Sequence, residues 1–111
     1  MHQMGLYGEY FHAIRERNKR VEVRLNDEKR RKIKVGDSIE FIKVTQQDEI
    51  LEVQITELRS YDTFEEMYND IPSKDLDCEG WTMKELIDGT YEIYTPQQEK
   101  EWGVLAIMIE Y

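Results

Sequence analysis

The sequence predicts an α+β fold in which a mixed β-sheet curls into a small barrel flanked by short helices. Two stretches, at residues 20–25 and 51–55, alternate apolar and polar side chains as half-buried strands do. Three threonines precede stretches with the capping chemistry of helix starts. The final stretch, residues 104–109, is an unbroken apolar run, which is typical of a central strand buried on both faces. Because this last strand has to pair with early ones, we expect the sheet to close on itself.

The N-terminal third contains a predicted helix followed by a predicted strand. Apolar residues recur at helical spacing over residues 6–17, which indicates an amphipathic helix. In the strand at 20–25, the three apolar residues point to one side and the three polar residues point to the other. The charged run at 27–34 then predicts a surface turn or a short helix.

A predicted hairpin occupies the middle of the chain. A Gly-Asp pair marks a tight turn into a strand over residues 38–44. The apolar residues of this strand switch parity between Phe41 and Ile42, which indicates a bulge or burial on both faces. The polar residues 46–49 predict the hairpin loop, and the alternating stretch at 51–55 predicts its second strand.

Three helix starts follow, each marked by a threonine with Glu or Gln three residues later, which is the pattern of a capping box. They are Thr63 with Glu66, Thr82 with Glu85, and Thr95 with Gln98. Pro72 ends the first of these helices because it cannot donate the next backbone hydrogen bond. Trp81 and Leu86 flank the second start as a hydrophobic staple does, and Pro96 takes the first position of the third helix.

The composition of the chain indicates one domain, spanning residues 1–111, in a reducing compartment. Its length suits one domain and is short for two. The single cysteine, Cys78, excludes an intramolecular disulfide. No apolar stretch approaches the length of a membrane span, and residues 1–10 lack the features of a secretory signal, so we expect a cytoplasmic protein that does not bind membranes. His2 and His12 lack ligand spacing and there is no P-loop or dinucleotide fingerprint, so we expect neither a metal nor a cofactor.

The charge of the protein is strongly uneven along the chain. The formal net charge is −9, which disfavours nucleic acid at long range. The first 34 residues nevertheless hold ten Lys or Arg against five Asp or Glu, whereas the other 77 hold five against nineteen. The N-terminal third can therefore present a local basic face to an anion, although an ordinary solvated surface of mixed charge has the same composition.

The most informative stretch surrounds the first predicted strand. Its polar face carries Arg20, Glu22 and Arg24, two cations that bracket one carboxylate. One interpretation is a solvated ladder of weak ion pairs. The other is a set of donors for phosphate or base edges, in which the carboxylate orients a guanidinium. Lys19 and Glu22 would lie on opposite faces of a regular strand, so they share a cleft only if Lys19 precedes the strand in a turn, which Asn18 favours.

Four groups of residues carry the most recognisable features of the chain: Met4-Gly5-Leu6, Tyr10-Phe11, Lys19-x-x-Glu22-x-Arg24 and Gly36-Asp37. With these residues the chain resembles the ASCH family over essentially its whole length. The most specific part is the Lys-x-x-Glu-x-Arg motif together with the Gly-Asp pair. Where the family commonly has a glycine two residues before the lysine, this chain has Arg17. The resemblance implies a PUA-like barrel with a cleft that binds RNA or a nucleoside-like ligand.

An enzymatic branch of the same family, the bacterial N4-acetylcytidine amidohydrolases, is similar at a second place. Their catalytic lysine matches Lys19, and their glutamate falls in a Glu-x-x-Thr-x-x-Glu-Leu stretch that begins here at Glu79. Their hydroxyl residue, three positions after the lysine, is replaced by Glu22. A hydroxyl can act as a nucleophile, whereas Glu22 would have to activate water while Lys19 stabilises the developing oxyanion. Alternatively, the replacement means that this activity is absent.

Several other residues near the third predicted helix have two interpretations. Glu79 lies just before a helix N-terminus, whose partial positive charge favours a carboxylate, so it is either a loop acid or a cleft residue. Trp81 is either the staple or a stacking platform for a base. Cys78 is predicted to be a buried structural thiol, and Tyr7 and Tyr10 are predicted to belong to the core.

Three functions remain open at the level of sequence. The first is a binding module for RNA or a nucleoside-like small molecule, in which Arg20, Arg24 and the basic residues of 29–34 hold phosphates while the cleft takes a base. Its predicted ligand-contacting residues are Lys19, Arg20, Glu22, Arg24, Glu79 and Trp81. The second is a small amidohydrolase that uses Lys19, Glu22 and Glu79, and the third is a protein-interaction domain whose acidic body binds a basic partner. The binding module is favoured, because Glu22 interrupts the enzyme pattern where a nucleophile is needed.

Overall fold

A computed structural model describes residues 2–44 and 49–111 of the chain. Five strands and four α-helices follow one another in the order β1 (His2–Leu6), α1 (Gly8–Arg15), β2 (Val21–Leu25), β3 (Ser38–Lys43), β4 (Ile50–Tyr61), α2 (Phe64–Asp70), α3 (Met83–Thr90), α4 (Pro96–Trp102) and β5 (Val104–Glu110). Short 3-10 turns occupy Arg30–Lys32 and Ser73–Asp75. No helix in the described parts of the chain has the length and apolar character needed to cross a membrane.

The five strands form one mixed sheet in the order β1-β3-β4-β5-β2. Strands β1 and β3 are parallel, and every other neighbouring pair is antiparallel. The sheet curls so far that its two edge strands approach each other. The guanidinium of Arg24 in β2 donates to the carbonyl oxygen of Gly5 in β1 over 3.0 Å. The predicted α+β class, with a curled mixed sheet flanked by short helices, is confirmed.

Strand β5 divides the apolar residues of the protein into two cores. Its odd-numbered residues, among them Leu105 and Ile107, join the larger core inside the curl, where Phe11 of α1 is completely buried. Its even-numbered residues, Val104 and Ala106, pack on the outer face with α2 and the apolar side of β2. The unbroken apolar run at the end of the chain is therefore a central strand that is buried on both faces, as predicted.

The N-terminus contains a strand that the sequence pattern does not reveal. We predicted a helix over residues 6–17, but residues 2–6 form β1, which pairs in parallel with β3, and the helix spans Gly8–Arg15. Helical spacing over a short window cannot separate Leu6, which is buried as a strand residue, from the apolar face of the helix that follows. Long-range pairing with β3 decides the conformation here, and local propensity does not.

The predicted hairpin is present, with its irregularity at a different position. The register of β3 is continuous with both of its neighbours, and Ile42 is half-buried opposite Ile50. The register shift lies instead in β4, between Ile55 and Glu57, where this strand leaves β3 and continues along β5. Strand β4 is therefore longer than the predicted 51–55. Residues 46–48 of the predicted hairpin loop lie outside the described parts of the chain.

The helix starts follow the capping chemistry that the sequence predicts. Thr82 and Thr95 each form a complete capping box with the residue three positions later. The box at Thr63 is only half formed, because the carboxylate of Glu66 accepts from the backbone N–H of Asp62 and not from that of Thr63. Pro72 follows the end of α2, as expected from its missing donor.

Candidate functional site

A tight turn after α1 positions Lys19 just before β2. Arg17 adopts a left-handed conformation with φ of 64°, and the backbone N–H groups of Asn18 and Lys19 both donate to the carbonyl oxygen of Ala13. Lys19 also forms an isolated bridge with Leu76. The side chain of Lys19 is thereby freed from the alternation of the strand. Lys19 therefore lies in the turn and not in β2, which is the condition that the sequence set for Lys19 and Glu22 to share a cleft.

Glu22 lies at the centre of a buried charged cluster. It pairs across the sheet with Ile107, so its side chain points into the curl beside the larger core, and only 4% of the residue is exposed. Its Oε1 accepts from Lys19 Nζ over 3.1 Å and from the backbone N–H of Val23 over 3.0 Å. Its Oε2 accepts from Arg24 Nη2 over 3.3 Å. We call Lys19, Glu22 and Arg24 the Lys19 cluster.

The environment of Glu22 favours the carboxylate over the carboxylic acid. Burial by itself raises the pKa of this group, because a low-dielectric interior disfavours charge. The charges of Lys19 and Arg24, together with the hydrogen bonds from Lys19 and Val23, outweigh burial and lower the pKa of Glu22 below its usual value. With two cations and one carboxylate, the Lys19 cluster carries a net positive charge in an otherwise acidic protein.

The side chain of Arg24 donates hydrogen bonds to two other residues of the protein. One of its nitrogens, Nη2, donates both to Glu22 and to the carbonyl oxygen of Gly5 in β1. Its side chain is mostly buried, with 18% exposed. The predicted role of Arg24 as a surface donor for phosphate therefore does not fit this geometry. Arg24 instead joins the two edge strands and holds one oxygen of Glu22.

Tyr10 covers the Lys19 cluster, a role that the sequence pattern did not reveal. Its ring lies over the ammonium of Lys19, with 4.7 Å between Nζ and the ring centroid, and 37% of the residue is exposed. Tyr7 is also exposed, so the prediction that both tyrosines belong to the core is wrong. Tyr10 fits the helical spacing of the apolar residues that include the buried Phe11. Because spacing reports only which residues share a helix face, it cannot distinguish a core residue from one that covers a polar site.

Glu79 and Arg20 line a separate, open hollow that none of the three residues of the Lys19 cluster lines. This hollow has a volume of about 310 Å³ and is lined by Arg17, Asn18, Arg20, Lys74, Asp75, Asp77 and Glu79. Glu79 and Arg20 are both exposed, and in the described parts of the chain neither forms a hydrogen bond or ion pair with Lys19. The structure thus brings Lys19, Glu22 and Arg24 together, and it leaves Glu79 and Arg20 exposed in the separate hollow.

Cys78 and Trp81 lie on either side of Glu79 in the chain. Cys78 is half-buried, and its thiol donates to the carbonyl oxygen of Leu76. Burial raises the pKa of the Cys78 thiol, and the charge of Lys19 offsets only part of that effect. Trp81 is half exposed, and an atom of its ring lies 4.0 Å from the position that a Cβ atom on Gly89, near the end of α3, would take.

A larger hollow, of about 630 Å³, lies at the opposite end of β2 near Trp102 and Gly103. Its one buried acid, Glu99, has both oxygens engaged: Oε1 accepts from the hydroxyl of Tyr91 over 2.7 Å, and Oε2 accepts from the backbone N–H of Phe64 over 2.8 Å. Glu99 therefore joins α4 to the start of α2. In the described residues, no group of three or more His, Cys, Asp or Glu side chains is arranged to hold a metal ion.

Comparisons with known proteins agree with this architecture. The model of the ASCH domain matches residues 4–111. The crystal structure of the hypothetical protein PH0355 is 35% identical with a TM-score of 0.86, over 97% of this chain and 95% of that one. The solution structure of protein PF0455 from Pyrococcus furiosus is 36% identical with a TM-score of 0.77, over 98% and 94% of the two chains. The search of curated proteins found no match. The chain has the PUA-like fold and belongs to the ASCH domain family.

Proposed function

We propose that this protein binds RNA or a nucleoside-like small molecule, with an acceptor atom of the base against the ammonium of Lys19. One observation carries this proposal. Lys19 is a buried cation that finds a single hydrogen-bond acceptor, Glu22 Oε1, among the described residues, although an ammonium has three donors. Buried donors are normally satisfied, because leaving one unpaired costs free energy. An acceptor on a ligand would satisfy the remaining donors of Lys19.

The charge of the cluster indicates which part of a nucleotide suits it. The net positive charge of the Lys19 cluster favours an acceptor that carries partial negative charge, such as a base carbonyl oxygen. A phosphate dianion would overcompensate this charge and would lie close to the ionised carboxylate of Glu22. A hydrogen bond from a charged donor to a carbonyl oxygen contributes about 1.5–3 kcal/mol.

Phosphates of an RNA would instead contact the exposed cations nearby. Arg20 follows Lys19 directly in the chain and shares its hollow with Arg17 and Lys74. The basic residues of 29–34 provide a second group, which includes the 3-10 turn Arg30–Lys32. Because Glu79 lines the same hollow as Arg20, we propose that it contacts the ribose hydroxyls. Trp81, which follows Glu79 by two residues and is half exposed, remains a candidate stacking surface for a base.

The chemistry of Glu22 supports binding more than hydrolysis. An amidohydrolase mechanism without the hydroxyl nucleophile needs Glu22 as a general base for water. A general base works best with a pKa near the operating pH, whereas the pKa of Glu22 is lowered and both of its oxygens accept hydrogen bonds within the protein. Incubation with N4-acetylcytidine tests this point, and release of acetate by the wild-type protein would favour the hydrolase.

Titration of the isotope-labelled protein with cytidine and with a short pyrimidine-rich RNA tests the proposal. We expect the amide chemical shifts of Tyr10 and of residues 18–24 to change and to reach a plateau as cytidine is added. The RNA should bind more tightly than cytidine. The affinity for the RNA should fall with salt, with a slope near −0.7 in log–log form per neutralised phosphate. Shift changes confined to the larger hollow near Trp102, or no saturable change with either probe, would refute it.

Matched substitutions of two lysines distinguish a specific contact in the Lys19 cluster from a general effect of positive charge on binding. Lys19→Met removes the buried ammonium, and Lys84→Met makes the same change at a side chain that is 85% exposed. We expect the first variant to weaken cytidine binding at least tenfold and the second to leave it unchanged. Lys19→Arg serves as a second variant that keeps the charge beside Glu22 if Lys19→Met does not fold. Equal loss of affinity in the Lys19 and Lys84 variants would contradict a specific contact.

A further inference from the structure

We infer that Tyr10 is the ligand-contacting cover of the Lys19 cluster and makes the site selective for flat, aromatic ligands over simple anions. This inference rests on the proposed function and adds a residue that selects the ligand. Among the four side chains concerned, those of Lys19, Glu22 and Arg24 are 10%, 5% and 18% exposed. Tyr10 is 37% exposed and is therefore the part of the site that a ligand meets first.

The position of the ring decides what can reach Lys19. Lys19 Nζ has Glu22 Oε1 on one side and the face of the Tyr10 ring on another. A small anion that replaced the ring over the ammonium would break the cation–π contact and would offer no aromatic surface in return. A planar heteroaromatic ligand can instead stack on the phenol ring while its exocyclic oxygen approaches the donors of Lys19.

The helix that carries Tyr10 is anchored, so only its side chain can adapt. The neighbours of Tyr10 in α1 include Phe11, Ala13 and Ile14, which are buried in the protein. The carbonyl oxygen of Ala13 also holds the turn that positions Lys19. Movement of the Tyr10 ring about its own side-chain bonds therefore opens or closes access to the ammonium without disturbing the turn or β2.

The phenol hydroxyl is a secondary feature of this cover. Burial, followed by the nearby acidic groups Glu9, Cys78 and Glu22, raises the pKa of Tyr10, so the hydroxyl is protonated at neutral pH. If stacking is the role of Tyr10, a phenylalanine ring should replace it with little loss. Tyr10→Phe thus separates the aromatic face from the hydroxyl.

Affinity measurements with two probes test the role of Tyr10. Cytidine and inorganic phosphate would each be titrated into wild-type protein, Tyr10→Phe, Tyr10→Ala and the control Tyr7→Ala. Tyr7 is 63% exposed, and its side chain does not cap α1. We expect Tyr10→Ala to weaken cytidine binding by about tenfold and to bind phosphate at least as well as wild type. Tyr10→Phe should lose little cytidine affinity, and the control Tyr7→Ala should bind both probes as wild type does. Equal cytidine affinity in Tyr10→Ala and wild type would overturn the inference.

A second measurement on the same variants works without any ligand. Acylation of lysines by an amine-reactive ester, followed by mass spectrometry of the peptides, reports access to Lys19, with exposed Lys84 as the internal standard. We expect Lys19 to react several-fold faster in Tyr10→Ala than in wild type or Tyr10→Phe. An unchanged rate would show that Tyr10 does not cover Lys19. If Lys19 reacts faster but wild-type protein binds no cytidine and no RNA, the proposed function is refuted, and the ligand contact of Tyr10 is refuted with it.

Discussion

Arg24 in β2 donates to the carbonyl oxygen of Gly5 in β1, and this contact joins the two edge strands of the sheet. The curl is therefore held at this point by a side chain, where a closed barrel would use a backbone ladder. The same nitrogen, Nη2, also holds Oε2 of Glu22. The residue that brings the sheet edges together is thus also part of the Lys19 cluster, so the shape of the sheet and the geometry of the site are coupled.

Replacing Arg24 with lysine should loosen the attachment of β1. A lysine keeps the positive charge beside Glu22, but its ammonium sits on a flexible stem and lacks the rigid, planar guanidinium that holds Nη2 between its two acceptors. We expect a loss of about 1–2 kcal/mol in the free energy of unfolding, measured with urea. Amide hydrogens of residues 3–6 should exchange faster, while those of β4 and β5 should keep their protection. Unchanged exchange in β1 would contradict the coupling.

Replacing Glu22 with glutamine should destabilise the protein strongly. The neutral amide leaves two buried cations without their carboxylate, and breaking a buried pair in this way costs roughly 3–5 kcal/mol. The experiment is urea unfolding at neutral pH. Glu40→Gln provides the control at a half-buried position on β3, where the carboxylate accepts a hydrogen bond from Gln3. A similar, small effect of both substitutions would contradict the account of Glu22.

The acid sensitivity of the protein should depend on Glu22. Its pKa is lower in the folded protein than in the unfolded chain, so its stabilising contribution is fully present above the unfolded value of about 4.3. That contribution is lost as the pH falls from there through the lowered folded value. We therefore expect the wild type to lose stability below pH ~4.3 more steeply than Glu22→Gln does. Parallel pH profiles of the free energy of unfolding would contradict this prediction.

Alanine substitutions of two glycines should reduce the stability of the protein by different amounts. Gly103 has φ of 74°, and a Cβ atom there would lie 2.9 Å from the carbonyl oxygen of Tyr61. Gly36 has φ of 93° but no neighbouring atom within 4 Å of its Cβ position. Both alanines bear the strain of a positive φ, about 1–3 kcal/mol, and only Gly103→Ala adds a backbone clash at the start of β5. Thermal unfolding should show the larger loss for Gly103→Ala, and an equal loss would contradict this reasoning.

The reactivity of Cys78 should report the charge of Lys19. Because the pKa of the thiol is raised, alkylation by iodoacetamide should be slow at neutral pH, with its half-maximal rate above pH ~8.5. Lys19→Met removes the charge that lowers this pKa and should shift the profile to still higher pH. Lys84→Met should leave the profile unchanged. A shift to lower pH in Lys19→Met would show that burial and the charge of Lys19 do not act as described.

The features that the sequence predicts well are those that local chemistry controls. The capping boxes at Thr82 and Thr95, the alternation of β2 and the apolar run of β5 all follow from residues that are close together in the chain. The position of Lys19 follows as well, because the alternation of β2 requires a turn if Lys19 and Glu22 are to meet.

The features that the sequence does not reveal depend on contacts between distant segments. Strand β1 exists because it pairs with β3, and its five residues carry no decisive pattern of their own. The burial of Glu22 depends on which face of β2 the curl encloses, and the burial of Glu99 depends on where α2 and Tyr91 lie. Tyr10 can cover Lys19 only because α1 lies beside the turn that carries this lysine. A sequence pattern can suggest such a turn, but it cannot show where the turn lies relative to the helix.

A structure of the protein soaked with cytidine tests the central claim most directly. The account predicts a base oxygen within about 3 Å of Lys19 Nζ, with the pyrimidine ring stacked on Tyr10 and the contacts of Glu22 to Lys19 and Arg24 retained. Cytidine bound in the larger hollow near Trp102, or bound near Arg20 with no polar atom within hydrogen-bond distance of Lys19, would contradict it.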